Sequence, residues 1–245
     1  MAIEIEEVLG RSEQGITEPY ICRSLEGDLY YVKGKGANYD SLIKEWIAGC
    51  LGRFLGLPIP TFSLMEMPRE LYELGRHNLL KDLGYGTLFG SKQMPDVNEL
   101  SFLNIAKLDD NLKRDIAAFD WWIMNGDRTL TETGGNPNIL WSEVDSRPYI
   151  IDHNLAFDRT VTLHSQLDSH IFAASLAEIC DTPALQTHYN QRFGEALVKL
   201  PGIIQDIPER WHYLDDALTA ESPFHIDVIE EALTRYPMKP FWKRT

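Results

Sequence analysis

The stretch Asn125-Gly126-Asp127-Arg128-Thr129 … Asn136-Pro137-Asn138-Ile139-Leu140, followed by Tyr149-Ile150-Ile151-Asp152, decides the reading of this chain. It places an isolated Asp just after a predicted helix, an Asn downstream of it, and a second Asp at the end of an apolar strand. That is the minimal residue set for phosphoryl transfer. One carboxylate positions an acceptor hydroxyl, while an Asn amide and a second carboxylate hold magnesium on the phosphates of a nucleotide. Upstream, Tyr30-Tyr31-Val32-Lys33 ends a strand-like run in a Lys, and Glu45 precedes Trp46 on a predicted helix. The order Lys, Glu, Asp, Asn, Asp carries more weight than any single position.

Each of these residues also has a plainer reading. A Lys closing a strand is commonly a solvated edge residue, but the helix that follows offers Glu45 on one stripe with Leu42 and Gly49. A strand Lys that reaches the α- and β-phosphates needs such a carboxylate to hold its rotamer. Asn-Gly-Asp is a common turn tripeptide, yet Asp127 lies between two apolar elements, close to Trp121 and Trp122. Asn136 and Asn138 compete for one metal-binding role, Asn136 being the better candidate for a simple turn residue. Asp152 follows an apolar strand directly, which gives a magnesium ligand a fixed position. Residues 91–95, with Ser91 and Gln93, are expected to offer backbone hydrogen bonds to adenine, and the turn Gly10–Gly15 to close over the phosphates.

Residues 3–9, 19–23 and 28–33 read as strands, the first two flanking the polar turn Gly10-Arg11-Ser12-Glu13-Gln14-Gly15. Asp40 is expected to cap a helix with Ile43, Ile47, Cys50, Leu51 and Phe54 at helical spacing, ending at Gly56. Strands near 61–67 and 86–92 complete an antiparallel sheet carrying one main helix. Beyond residue 97 the pattern changes. Leu112, Ile116, Phe119 and Ile123 mark one face of a helix over 109–124 that feeds into Asn125. Short strands near 137–142 and 148–152 follow, then helices over 165–179, 183–199, 208–219 and 225–236. The fold class is therefore α+β: a small antiparallel β lobe over 1–94 and a larger, mostly helical lobe over 95–245, in one domain with a cleft near 93–97.

Composition narrows the function classes. A formal charge of −14 over 245 residues argues against a wide nucleic-acid footprint, which needs clustered Lys and Arg. The same charge would repel ATP, so a nucleotide site must draw on Lys33, Lys35, Arg128 and a divalent cation. No apolar run reaches membrane-spanning length, and residues 1–10 carry three glutamates in place of a basic leader, so a cytoplasmic protein is expected. Cys22, Cys50 and Cys180 are widely spaced and read as buried thiols. The His residues show no metal-ligand spacing, and neither a Gly-x-Ser-x-Gly elbow nor a Gly-x-x-x-x-Gly-Lys-Ser/Thr loop is present.

On these motifs the chain resembles the HipA-like kinases, in particular the compact branch with an Asn-x-Asp-Arg-Thr … Asn-Pro-Asn-hydrophobic segment. The Asp-Arg pair is also similar to that of phosphatidylinositol kinases. The likeness runs from about residue 8 to about residue 215 and takes in Lys33, Gly90-Ser91-Lys92 and Ile207-Pro208-Glu209-Arg210-Trp211. The resemblance implies a two-lobed protein-kinase-like fold and ATP-dependent phosphorylation, typically of protein Ser/Thr, with Mg2+ as cofactor. By it Asp127 is the catalytic Asp, Asn138 and Asp152 the magnesium ligands, and Lys33 the phosphate-binding Lys. For some members it also implies a toxin role with a partner antitoxin; the toxin form carries an extra N-terminal subdomain that this chain is not expected to hold. The separation of Asp127 from Asn138 (138 − 127 = 11) is longer than in typical members, so residues 129–137 are expected to form an extended loop. Two rival readings use the same residues: a nucleotide-binding pseudokinase that presents its surface to a protein partner, and a kinase acting on a sugar, lipid head group or antibiotic.

Overall fold

The computed structural model describes residues 2–12, 18–75, 77–215, 217–222 and 224–244. It is a mixed α+β structure whose chain divides into two compact units, interleaved along the sequence. Residues 1–46, 60–95 and 207–224 make the first, and residues 47–59, 96–206 and 225–245 make the second.

In the first unit, β1 (Ile3–Arg11), β2 (Tyr20–Ser24), β3 (Leu29–Lys33), β4 (Phe62–Met67) and β5 (Gly86–Lys92) form a closed barrel in the order β1-β2-β3-β5-β4. The pairings β1–β2, β2–β3, β3–β5 and β4–β5 are antiparallel, as the strand order predicts. The barrel is closed by a parallel β1–β4 pair, Ile3 opposite Met65, where a purely antiparallel sheet was expected. Alternation supplies the core: Ile5, Tyr20, Cys22, Tyr30, Val32, Met65, Met67 and Leu88 turn inward. Each such apolar side chain contributes about 1.5–3 kcal/mol by leaving water. Gly90 is required where β4 and β5 close up, because a Cβ there would lie 2.4 Å from Met65 Cγ.

Helix α1 (Tyr39–Phe54) starts two residues earlier than a cap at Asp40 predicts. Asn38 makes the capping contact, accepting from the Asp40 N–H at 3.1 Å, while the Asp40 carboxylate accepts from Ser222 Oγ at 2.6 Å. Two short helices, α2 (Arg69–Leu74) and α3 (His77–Leu80), lie between β4 and β5 and were not expected. The helix predicted over 208–219 is not formed. Only a 3-10 turn, Glu209–His212, is present, and it seats Trp211, which is fully buried and donates Nε1–H to the Thr87 carbonyl at 2.8 Å.

The second unit is built around α4 (Asp110–Trp122), N-capped by Asp109, whose carboxylate accepts from the Asn111 and Leu112 amides. Trp122 stacks on Phe193 at 4.4 Å and donates to the Leu233 carbonyl, and the Arg235 guanidinium takes the carbonyls of Trp121 and Trp122 at the helix end. Three strands, β6 (Val97–Glu99), β9 (Ile139–Ser142) and β10 (Arg147–Ile150), pair in the order β10-β9-β6. The expected extended loop after Asp127 is instead a tight hairpin, β7 (Thr129–Thr131) with β8 (Gly134–Asn136). Helices α5 (Leu163–Ser169), α6 (Ala173–Asp181), α7 (Pro183–Leu197), α8 (Leu200–Gln205) and α9 (Ile226–Thr234) complete the unit. The single helix predicted over 165–179 is broken at His170, which turns inward to a buried carboxylate.

Among the described residues no helix is long and apolar enough to cross a membrane. The three thiols are unpaired, and burial pushes Cys22 and Cys50 up to about 12, so neither is a nucleophile near neutral pH.

Candidate active site

The site begins with a charge inside the core. On α4, Asp120 falls on the same stripe as Ile116 and Ile123 and is fully buried. A carboxylate there requires partners, and it has three. Arg128 donates Nε–H to Oδ2 at 2.6 Å, His170 Nε2 meets Oδ2 at 2.9 Å, and Asn125 Nδ2 donates to Oδ1 at 2.9 Å. Burial alone would push the Asp120 carboxyl up; the charge of Arg128, with the hydrogen bond from His170, overcomes this and holds it well below the usual carboxylate range. The Phe172 amide donates to His170 Nδ1 at 3.0 Å, so His170 carries its proton on Nε2 and donates it to Asp120.

Arg128 uses the rest of its fork on the segment that follows. Nη1 donates to the carbonyls of Pro137 (3.2 Å) and Asn138 (2.6 Å), and Nη2 lies 3.4 Å from His153 Nε2. The side chain is fully buried. This corrects one expectation: Arg128 does not offer its charge to a nucleotide. It ties α4 to the turn that carries Asn138.

Asp127, just before this anchor, is half-buried. Asn136 Nδ2 and Asn138 Nδ2 both donate to its Oδ2, each at 2.8 Å. The hairpin β7–β8 is what brings them there, and both candidate amides, not one, reach the carboxylate. Because a carboxylate only accepts, each amide must turn its NH2 inward, and its carbonyl oxygen then faces away from Asp127. The Ile151 N–H donates to the Asn138 carbonyl at 3.0 Å, so the backbone one residue before Asp152 is tied to Asn138 just beyond β10. Asn138 and Asp152 both adopt left-handed backbone, φ +46° and +56°, a conformation in which Asn and Asp are enriched. An amide oxygen and a carboxylate are hard oxygen donors of the kind magnesium takes while keeping its waters. The donor set therefore fits Mg2+, although among the described residues no cluster of three His, Cys, Asp or Glu groups could hold a metal by itself.

In the first unit the structure joins the predicted Lys33–Glu45 pair. Nζ lies 2.9 Å from Oε2, with both side chains nearly buried. Lys33 also lines a cavity of about 210 Å³ with Arg11, Tyr20, Gly34 and Asp82. The backbone amides of Lys35 and Gly36 donate to Leu83 and Asp82 carbonyls, so Gly34-Lys35-Gly36 is not a phosphate-binding loop. Ser91 lies in mid-barrel between Tyr31 and Phe62. The Gln93 N–H donates to the Leu29 carbonyl at 2.8 Å, so an adenine could use the carbonyl side of this segment but not that donor. Of the turn Gly10–Gly15, residues 13–15 lie outside the described residues.

Sequence reasoning missed Asp120, His153, Gln166 and His170. For Asp120 a signal existed: an acidic residue on an otherwise apolar helical stripe.

A carboxylate clamped by two amides, in a chain that carries a second carboxylate just after its next strand, is compatible with phosphoryl transfer. The chain matches the family of HipA-like kinases over residues 5–245 and belongs to that family. Family membership makes ATP the expected phosphoryl donor, usually with a divalent metal. Among solved structures the chain is similar to CtkA, a proinflammatory kinase of Helicobacter pylori, at 15% identity and a TM-score of 0.46, covering 97% of this chain and 92% of that one. No curated protein matches it.

Proposed function

We propose that this chain, as one catalytic domain, transfers the γ-phosphoryl group of Mg-ATP to a Ser or Thr hydroxyl of a protein. In this reading Lys33, held by Glu45, binds the α- and β-phosphates, and residues 91–95 border the adenine. Asn138 and Asp152 would hold the magnesium ion, whose chemistry is to neutralise charge on the phosphate oxygens. Asp127 Oδ2 is taken by the two amides, so the carboxylate is fixed in rotation and presents Oδ1 to the acceptor. The acceptor oxygen forms its bond to the γ-phosphorus, the bond from that phosphorus to the bridging oxygen breaks, and ADP leaves with the electron pair. The hydroxyl proton passes to Asp127, late in the transfer. Arg128 and Asp120 do not touch the reacting atoms; they hold the turn that carries Asn138.

The observation that carries this reading is the convergence of Asn136 and Asn138 on one oxygen of Asp127. Its test is Asp127→Asn, which preserves size but cannot accept the proton. Mg-ATP affinity measured by calorimetry should stay within about twofold of wild type, while transfer from labelled ATP falls by about 10²–10⁴-fold. Undiminished transfer would remove Asp127 from the mechanism, and a wild type that binds no Mg-ATP would end the kinase reading.

A further inference from the structure

Asp127 also lines a cavity of about 360 Å³ that lies wholly within the second unit. Its walls include Asp158, Thr160, Ser165, Gln166 and Ser169, with Leu155 and Val161 as apolar surface. The polar wall has an unusual balance, because its three hydroxyl donors are spent inside the protein. Thr160 Oγ1–H is given to Asp158 Oδ1 at 2.8 Å, Ser165 Oγ–H to the Thr162 carbonyl at 2.8 Å, and Ser169 Oγ–H to the Ser165 carbonyl at 2.8 Å. The Gln166 amide donates Nε2–H to the Asn125 carbonyl at 2.6 Å. What remains toward the cavity is chiefly acceptors. Gln166 is 2% exposed, and its Oε1 has no hydrogen-bond partner among the described residues. An unsatisfied buried acceptor is unfavourable, and a ligand donor that reached it would relieve that cost. Asp158 and Asp127 add carboxylate oxygens, and no Lys or Arg is among the wall residues.

A wall whose hydroxyl donors are engaged, with two carboxylates and no Lys or Arg, disfavours an anionic occupant and favours one rich in N–H donors. We infer that this cavity is the acceptor subsite, and that it takes a hydroxyl carried beside a cationic amine or guanidinium. The hydroxyl meets Asp127, and the cation lies against Asp158 and the Gln166 carbonyl oxygen. This rests on the kinase reading above, in which Asp127 orients the acceptor. The same chemistry is offered by a Ser or Thr flanked by Arg or Lys on a peptide, and by an amino sugar.

The experiment compares two synthetic peptides that differ only in whether Arg or Gln flanks a single Ser, alongside an amino sugar and its neutral parent sugar. Each is assayed as acceptor with the wild type, Asp158→Asn and Glu195→Gln. The Asn keeps the oxygen that Thr160 needs, so its fold is preserved, and Glu195→Gln removes one exposed charge from α7 as a control for net charge. The cationic member of at least one pair should be the better acceptor by tenfold or more in kcat/KM. Asp158→Asn should raise its KM about fivefold, the effect of one partly exposed ion pair, with kcat little changed. Glu195→Gln should leave both constants unchanged. Which pair responds identifies a peptide or an amino sugar as the source. Equal use of cationic and neutral acceptors, or equal effects of the two variants, would overturn the subsite while leaving the kinase reading intact. Bound Mg-ATP with no transfer to any of the four acceptors would instead remove the kinase reading, and this inference with it.

Discussion

Arg128 shows how far a residue's neighbours in sequence can mislead about its role. Beside Asp127, it reads as a cation for phosphates; in the structure it is fully buried and paired with Asp120 at 2.6 Å. Removing one member of such a buried pair leaves an uncompensated charge, a loss of about 3–5 kcal/mol. The pH dependence follows from the direction of the Asp120 shift. Its carboxyl titrates lower in the folded protein than in the unfolded chain, so its contribution is fully present above the unfolded value of about 4 and declines as pH falls below it. Urea titrations at stepped pH should therefore show wild-type stability falling below about pH 4. Asp120→Asn should be less stable at pH 7, and the gap between the two proteins should narrow as pH falls through that window. A gap that stays constant would mean that the Asp120 charge does not stabilise the fold.

At the scale of elements, the hairpin β7–β8 matters most. It converts the long spacing between Asp127 and Asn138 into a short path, and it places Asn136 as well as Asn138 on the Asp127 carboxylate. Period-two patterning could not announce it, because Thr129-Leu130-Thr131 is too short to establish alternation and Gly134-Gly135-Asn136 has no apolar side chain. The two amides are expected to separate functionally. Asn138 is bound to the backbone next to Asp152 and is the proposed partner of Asp152 at the metal, so Asn138→Ala should weaken ATP binding in the presence of magnesium by about tenfold or more, the usual effect of a lost metal-site group. Asn136→Ala should leave that affinity nearly unchanged and lower kcat, because it acts on the orientation of Asp127 alone. Calorimetry and single-turnover transfer on the two variants read this split, and a reversed pattern would reassign the metal ligand to Asn136. The break between α5 and α6 has a related cause. The chain must leave helical geometry at His170 so that its ring can reach Asp120, and a buried carboxylate 50 residues away outweighs local helix propensity.

For the molecule as a whole, the balance of charge sets the conditions under which a nucleotide can bind. A net charge of −14 opposes a polyphosphate at long range, and Lys33 is already neutralised by Glu45 at 2.9 Å. A divalent cation is then the main source of compensating charge. Chelating magnesium should raise the dissociation constant for ATP by about tenfold or more, and Asp152→Ala should reproduce that loss with magnesium present. Glu45→Gln should act differently: it frees Lys33 from its partner and lowers transfer chiefly through kcat, because the Lys rotamer is no longer held. ATP binding that is indifferent to chelation would count against Asn138 and Asp152 as metal ligands.

Local pattern determined much of this protein. The barrel strands, α1, α4, the Lys33–Glu45 pair and the approach of Asn138 to Asp127 follow from alternation, from helical spacing and from residue order, which depend on near neighbours in the chain and on the chemistry of side chains. The family follows from the same motifs. The tertiary structure alone decided the rest: the parallel closure of β1 on β4, the return of residues 207–224 to the first unit through Trp211, the burial of Arg128, and the cavity wall whose hydroxyl donors are already spent. Each of these depends on which distant groups meet and on which hydrogen bonds are already occupied. Amino-acid sequence records what a residue can donate or accept, and only packing determines to whom.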